Sequence, residues 1–159
     1  MKRAVVIGLG SPILTDDSVG LCVARAFYEA GHALKADADV KELHAGGLGL
    51  VEAMDGYDCA IVVDAMKTGA RPGEIRVLRE AEFGACVNSG SAHDMNLAGA
   101  LKTGRMLGLS LPASIRLFGI EAFDAETFGE TLTPDVAAAV PIAVRMILKE
   151  LSAYRIRKS

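Results

Sequence analysis

Apolar residues along this chain fall in short unbroken runs separated by amphipathic stretches, and the period of each run predicts its conformation. Ala4-Val5-Val6-Ile7 is a four-residue apolar run leading into Gly8-Leu9-Gly10, and it reads as a strand. Val19, Cys22, Val23, Ala26 and Phe27 then recur at i, i+3, i+4, i+7 and i+8, the spacing of one helical face. That helix is expected to end near Gly31, with Cys22 in the core. A second strand is expected around Val40 to Leu43, followed by Gly46-Gly47-Leu48-Gly49 and a short helix through Met54. Cys59-Ala60-Ile61-Val62-Val63-Asp64 is apolar up to its last residue, as befits a central strand covered on both faces of a parallel sheet.

Beyond the turn signals Gly69 and Pro72-Gly73, Glu74 to Arg79 alternates imperfectly, which predicts a strand near an edge. A polar loop from Asn88 to Asp94 precedes a helix expected from Met95 to Leu107, with Leu97, Leu101 and Leu107 inward. Ser114 to Ile120 is the next strand. Glu121 to Glu130 is an acidic loop carrying Phe123 and Phe128, expected to be a mobile rim. Thr133-Pro134-Asp135 opens a last helix, with Thr133 as N-cap, Pro134 at the first helical position and an acid facing the positive end of the helix dipole. Val136, Val140, Val144, Ile147 and Leu151 make its apolar face, and Pro141 predicts a kink near residue 137. Alternating strands and helices imply the α/β class: a single three-layer α/β/α sandwich around a mostly parallel sheet, one domain over residues 1–159.

Composition narrows the functions open to such a domain. The chain is 51% hydrophobic, enough for one buried core, and its formal net charge is −3 with the 17 Lys and Arg scattered, so nucleic acid is not an expected partner. The apolar run after Met1-Lys2-Arg3 is too short for a signal peptide, and no apolar run approaches the roughly 18 residues a membrane span needs. The expected location is the cytoplasm. Cys22, Cys59 and Cys86 are an odd set without Cys-x-x-Cys spacing, which indicates neither a disulfide framework nor a thiolate zinc site. None has a context that suggests an activated thiol.

The polar groups that follow strands carry the chemistry. Asp16 and Asp17 follow the first strand, Asp64 closes the most apolar one, and His93 lies in a Ser/Gly-rich loop after another. All of them can converge at one edge of the sheet. Two carboxylates and an imidazole suit a borderline divalent cation such as zinc or nickel, with coordination positions left for substrate or water. Plain structural roles also fit: Asp16 as a helix cap, Asp64 as an acceptor for loop amides, His93 as an exposed loop histidine. His44 ends a strand and is assigned to the surface or behind the ligands, while His32 pairs with a helix C-terminus. Gly8-Leu9-Gly10 lacks the third glycine of a dinucleotide fingerprint, Ile13 standing in its place.

Together these residues carry a resemblance. Gly8-Leu9-Gly10-Ser11-Pro12-Ile13-Leu14-Thr15-Asp16-Asp17-Ser18-Val19-Gly20 is similar to the Gly-x-Gly-Asn-x-Leu-x-x-Asp-Asp/Glu-x-x-Gly opening of the nickel-iron hydrogenase maturation proteases. Val63-Asp64-Ala65 with Gly69 and Pro72-Gly73, then Ser91-Ala92-His93-Asp94-Met95-Asn96-Leu97, then Leu132-Thr133-Pro134 follow in that family's order. The resemblance implies an endopeptidase that removes the C-terminal tail of a hydrogenase large-subunit precursor after recognising its inserted nickel. It implies a site of Asp17, Asp64 and His93, serving as both catalytic and metal-contacting residues. No cofactor of its own is implied: nickel arrives with the substrate, and other divalent cations can occupy the same place. Ser11 stands where the family usually has Asn, and His44-Ala45-Gly46-Gly47 where many members have Asp-Gly-Gly-Thr. Nickel in such a site either polarises the scissile carbonyl or a water, or only positions the tail. A nucleotide- or phosphate-binding module and a maturation chaperone that does not cut are the competing readings; two carboxylates at a helix mouth weigh against the first.

Overall fold

The computed structural model describes residues 3–34, 36–86 and 97–158. In chain order the elements are β1 (Ala4–Leu9), α1 (Val19–Leu34), β2 (Ala38–Leu43), α2 (Leu48–Glu52), β3 (Cys59–Met66), β4 (Ile75–Arg79), α3 (Leu97–Met106), β5 (Ser114–Glu121) and α4 (Pro134–Lys158). Tight 3-10 turns cover Thr15–Ser18 and Glu80–Cys86. The strands form one sheet in the order β2-β1-β3-β5-β4. β1, β2, β3 and β5 run parallel, and β4 closes the sheet at one edge as an antiparallel strand on β5. Every residue of β1 and β3 is buried, which explains why neither shows polar alternation: both of their faces are covered by helices.

Alternation within β3 separates two cores. Ile61, Val63 and Ala65 point into a layer with Val19, Val23 and Phe27 of α1 and Val136, Ala143 and Ile147 of α4. Ala60, Val62 and Met66 point the other way, toward Leu50 and Val51 of α2 and Leu97 and Leu101 of α3. The result is the three-layer α/β/α sandwich that the alternation of elements predicts. Among the described residues no helix is long and apolar enough to cross a membrane.

Three local expectations are corrected. α1 extends past Gly31 to Leu34, and its buried stripe runs through Gly20, Leu21 and Ala24 because it packs on β1, β3 and α4 together; Cys22 is left half-buried at the margin of that stripe. Leu107 is 64% exposed, since α3 stops at Met106 and the chain turns at Gly108 with φ +83°. Leu109 and Leu111, after that turn, pack around Gly104 and the core instead. Thr133 directly precedes α4, as expected of its N-cap, and its carbonyl accepts the Ala137 amide at 2.9 Å, while its hydroxyl is donated to Asp16. α4 continues through Pro141, which lies on its exposed side.

Candidate functional site

The strand order creates a crevice. From β1 the chain crosses by α1 on one face to β2, and from β2 it crosses by α2 on the other face to β3. The connections therefore part company between the carboxyl ends of β1 and β3, the place where open α/β sheets bind ligands. The last β1–β3 pair is Gly8 with Val63, and Asp64 follows at once.

Gly20 seats the start of α1 on those strand ends. A Cβ there would lie 2.3 Å from the carbonyl oxygen of Val63 and 2.4 Å from that of Leu9, closer than any side chain is tolerated. Gly10 is as tightly placed, with the carbonyl oxygen of Asp17 2.0 Å from where its Cβ would be, at φ +154°. These two contacts bring the Thr15–Ser18 turn against β1 and β3. Asp17 is 6% exposed, and its Oδ2 accepts the backbone N–H of Ser11 at 2.9 Å. Asp64 is 4% exposed, and its Oδ1 accepts the N–H of Ala65 at 2.8 Å. By the alternation of β3, Asp64 faces the α2/α3 layer. Backbone donors thus fix the orientation of both carboxylates, as second partners do for metal ligands.

His93 lies outside the described residues, as do the polar loop from Asn88 to Asp94 and Met95. Among the described residues no group of three His, Cys, Asp or Glu side chains is assembled for a metal. His44 is exposed directly after β2, beside the Leu43 carbonyl that accepts the Gly10 amide at 3.1 Å. His32, in the last turn of α1, stacks on Tyr28 with ring centroids 6.2 Å apart. The glycine loop offers little to a phosphate: the Gly10 amide is bonded to Leu43 and the Ser11 amide to Asp17. Burial pushes the Cys59 thiol up from its ordinary value, which keeps it protonated and unreactive.

Asp16 has a different task from the cap expected of it. It is fully buried, and its carboxylate accepts the amides of Phe123 at 3.0 Å, Asp124 at 2.9 Å and Thr133 at 2.8 Å, and the Thr133 hydroxyl at 2.7 Å. These donors all belong to the connection 122–133 between β5 and α4. The backbone reinforces the junction: Asp16 N–H donates to Asp124 O at 2.8 Å, Thr15 N–H to Gly129 O at 3.0 Å and Gly129 N–H to Ile13 O at 3.0 Å. Thr15, held at φ +42°, donates its hydroxyl to Thr127 O at 2.6 Å. A left-handed threonine is rare and persists only where neighbouring bonds over-determine it. The connection is thereby strapped to the turn that carries Asp17: Phe123 and Phe128 stand outward as expected, but on a backbone bonded to Thr15 and Asp16 and not on the loose rim expected of them.

Sequence reasoning also passed over Glu121. It ends β5 with 4% exposure, and its carboxylate accepts the amides of Thr68 and Gly69 at 2.8 and 2.9 Å and the Thr68 hydroxyl at 2.7 Å. The signal was present: Leu117-Phe118-Gly119-Ile120 followed by Glu is the same apolar strand closed by an acid that singles out Asp64. Here the acid fastens the turn after β3.

Known proteins share this fold and sequence. The chain is 29% identical over 151 residues to the hydrogenase 2 maturation protease of Escherichia coli K12, covering 94% of this chain and 90% of that one. It is 27% identical over 158 residues to the hydrogenase expression/formation protein HupD of Rhodobacter capsulatus, covering 98% and 74%. The solved structure of the hydrogenase maturating endopeptidase HybD from E. coli superposes with a TM-score of 0.81 at 26% identity, covering 96% of this chain and 93% of that one. A family model described as hydrogenase maturation protease matches residues 27–150. That match spans most of the chain, from within α1 almost to the end of α4, and the chain accordingly belongs to the hydrogenase maturation protease family and is a peptidase.

Proposed function

We propose that this peptidase removes the C-terminal tail of a nickel-iron hydrogenase large-subunit precursor, and that it meets the nickel already inserted there through Asp17, Asp64 and His93. The observation that carries the reading is the seating of two buried carboxylates, Asp17 on the turn after β1 and Asp64 near the end of β3, at the switch point of the sheet. Two carboxylates supply the oxygen donors that a divalent cation accepts. The first helix of the layer that Asp64 faces after β4 is α3, which begins at Leu97, four residues beyond His93. In this reading the metal belongs to the substrate; the protease contributes three side chains and leaves the remaining coordination to the precursor.

Oriented contact with the metal brings the tail to a fixed place, and positioning of this kind converts an encounter into an effectively unimolecular step. Incubating the purified protein with nickel-loaded and nickel-free precursor, and following the precursor mass, tests the reading. Loss of a C-terminal peptide only from the nickel-loaded form is the expected result. Equal cutting of both forms removes the nickel requirement, and no cutting of either removes the substrate.

A further inference from the structure

We propose that Ile13, Phe123 and Phe128 form a fixed docking rim that grips an apolar, base-flanked segment of the precursor next to the cleavage site; this rests on the reading of the protein as a precursor peptidase. Phe123 is 65% exposed, Phe128 79% and Ile13 49%. Side chains this apolar normally fold back onto the protein when their backbone is free to move. Here it is not free. The Phe123 amide is bonded to Asp16, its carbonyl accepts the Lys67 ammonium, and Phe128 lies between Thr127 and Gly129, both tied to Thr15. Leu14 and Gly129 form a parallel bridge that sets Ile13 and Phe128 on adjacent stretches of backbone.

Exposed aromatics held on a pinned backbone are the usual anchors of an interface, because little further ordering is needed when they are buried. Position and charge select the occupant. The strap is bonded to Asp16, so the rim is fixed to the same turn that carries Asp17. Glu126 and Glu130 are exposed on the same connection. A second copy of this chain, joined through the same patch, would bring a further two acids to the shared surface and add like charge to it. A precursor segment with apolar side chains between Lys or Arg residues meets both the aromatic and the acidic groups.

The test compares wild type, the double variant Phe123→Ser/Phe128→Ser and, as an exposed apolar control on the far end of α4, Ile156→Ser. Precursor binding is measured by an immobilised-precursor assay, and cleavage of nickel-loaded precursor by steady-state kinetics. The double variant should unfold at the wild-type temperature, bind precursor more weakly and show KM raised about tenfold or more, with kcat within about twofold. Ile156→Ser should match wild type throughout. Unchanged binding and KM in the double variant overturn the rim. So does a wild-type dimer in sedimentation that the double variant dissolves, since the patch then serves a second copy. Failure of wild type to cut is a separate result: it removes this precursor as the substrate, whereas the binding assay still reports on the rim.

Discussion

Thr133 donates both its backbone amide and its hydroxyl to the carboxylate of Asp16, at 2.8 and 2.7 Å, across 117 residues of sequence. One side chain thereby joins the turn before α1 to the start of α4, and it does so one residue away from Asp17. The four bonds that Asp16 accepts replace the water it gave up on burial, so each has a part in keeping a polar group inside the fold.

Asp16→Asn is therefore expected to be costly, although Asn is as good a helix cap as Asp. An amide nitrogen must face one or more of the donors, and about 1–3 kcal/mol of stability should go with it. Thermal or urea unfolding of the variant reads this directly. A melting temperature equal to wild type would show that the strap holds without the charge.

Asp17→Asn and Asp64→Asn should behave in the opposite way. Each keeps an oxygen for the Ser11 or Ala65 amide, so the fold should persist while cleavage of nickel-loaded precursor is lost. Circular dichroism and a mass-resolved cleavage assay on the same samples give the comparison. A folded Asp17→Asn protein that cuts at the wild-type rate would exclude Asp17 from the site.

Two glycine substitutions separate close approach from simple flexibility. Gly20→Ala puts a methyl 2.3 Å from the Val63 carbonyl oxygen, so α1 must lift from the sheet at a cost of about 1–3 kcal/mol or more. Gly49→Ala, in α2, meets nothing within 4 Å and should be stabilising by about 0.4–1 kcal/mol. Chemical denaturation of the two variants should move in opposite directions.

The strap also carries a pH dependence with a definite sign. Asp124 accepts the amides of Thr127 and Glu126, and these bonds, that to Thr127 foremost, hold its carboxyl below the ordinary aspartate value of about 3.9. A depressed carboxyl stabilises the folded turn above its unfolded pKa, and that stabilisation is lost as pH falls through the lower, folded value. Proton chemical shifts of the Glu126 and Thr127 amides, titrated downward from pH 5, should therefore change below pH about 4 and stay constant above it. A midpoint above the ordinary value would mean that the turn does not hold Asp124 as charged.

The parts of the fold legible beforehand were those in which burial acts on consecutive residues. β1 and β3 are apolar runs because both faces are covered, and β4 alternates poorly because it is an antiparallel edge. Leu107 was misread because a helical period runs on in sequence past the residue where Gly108 turns the chain. Cys22 was misread because the buried stripe of α1 runs through Gly20, Leu21 and Ala24, where the helix packs on the strands and on α4, and this leaves Cys22 at its margin.

The sequence by itself determined the class of the fold, the order of its layers and which acids follow strands, since each depends on the pattern within one short segment. Only the tertiary structure showed what Asp16 holds. Asp16 and Asp17 have the same chemistry and neighbouring positions, but in a 3-10 turn consecutive side chains point in different directions. One carboxylate meets the amides of a connection more than 100 residues away, at Phe123, Asp124 and Thr133, and the other meets Ser11 six residues before it. Donors that distant in the chain leave no periodicity around residue 16, which is why the strap appears only once the chain is folded.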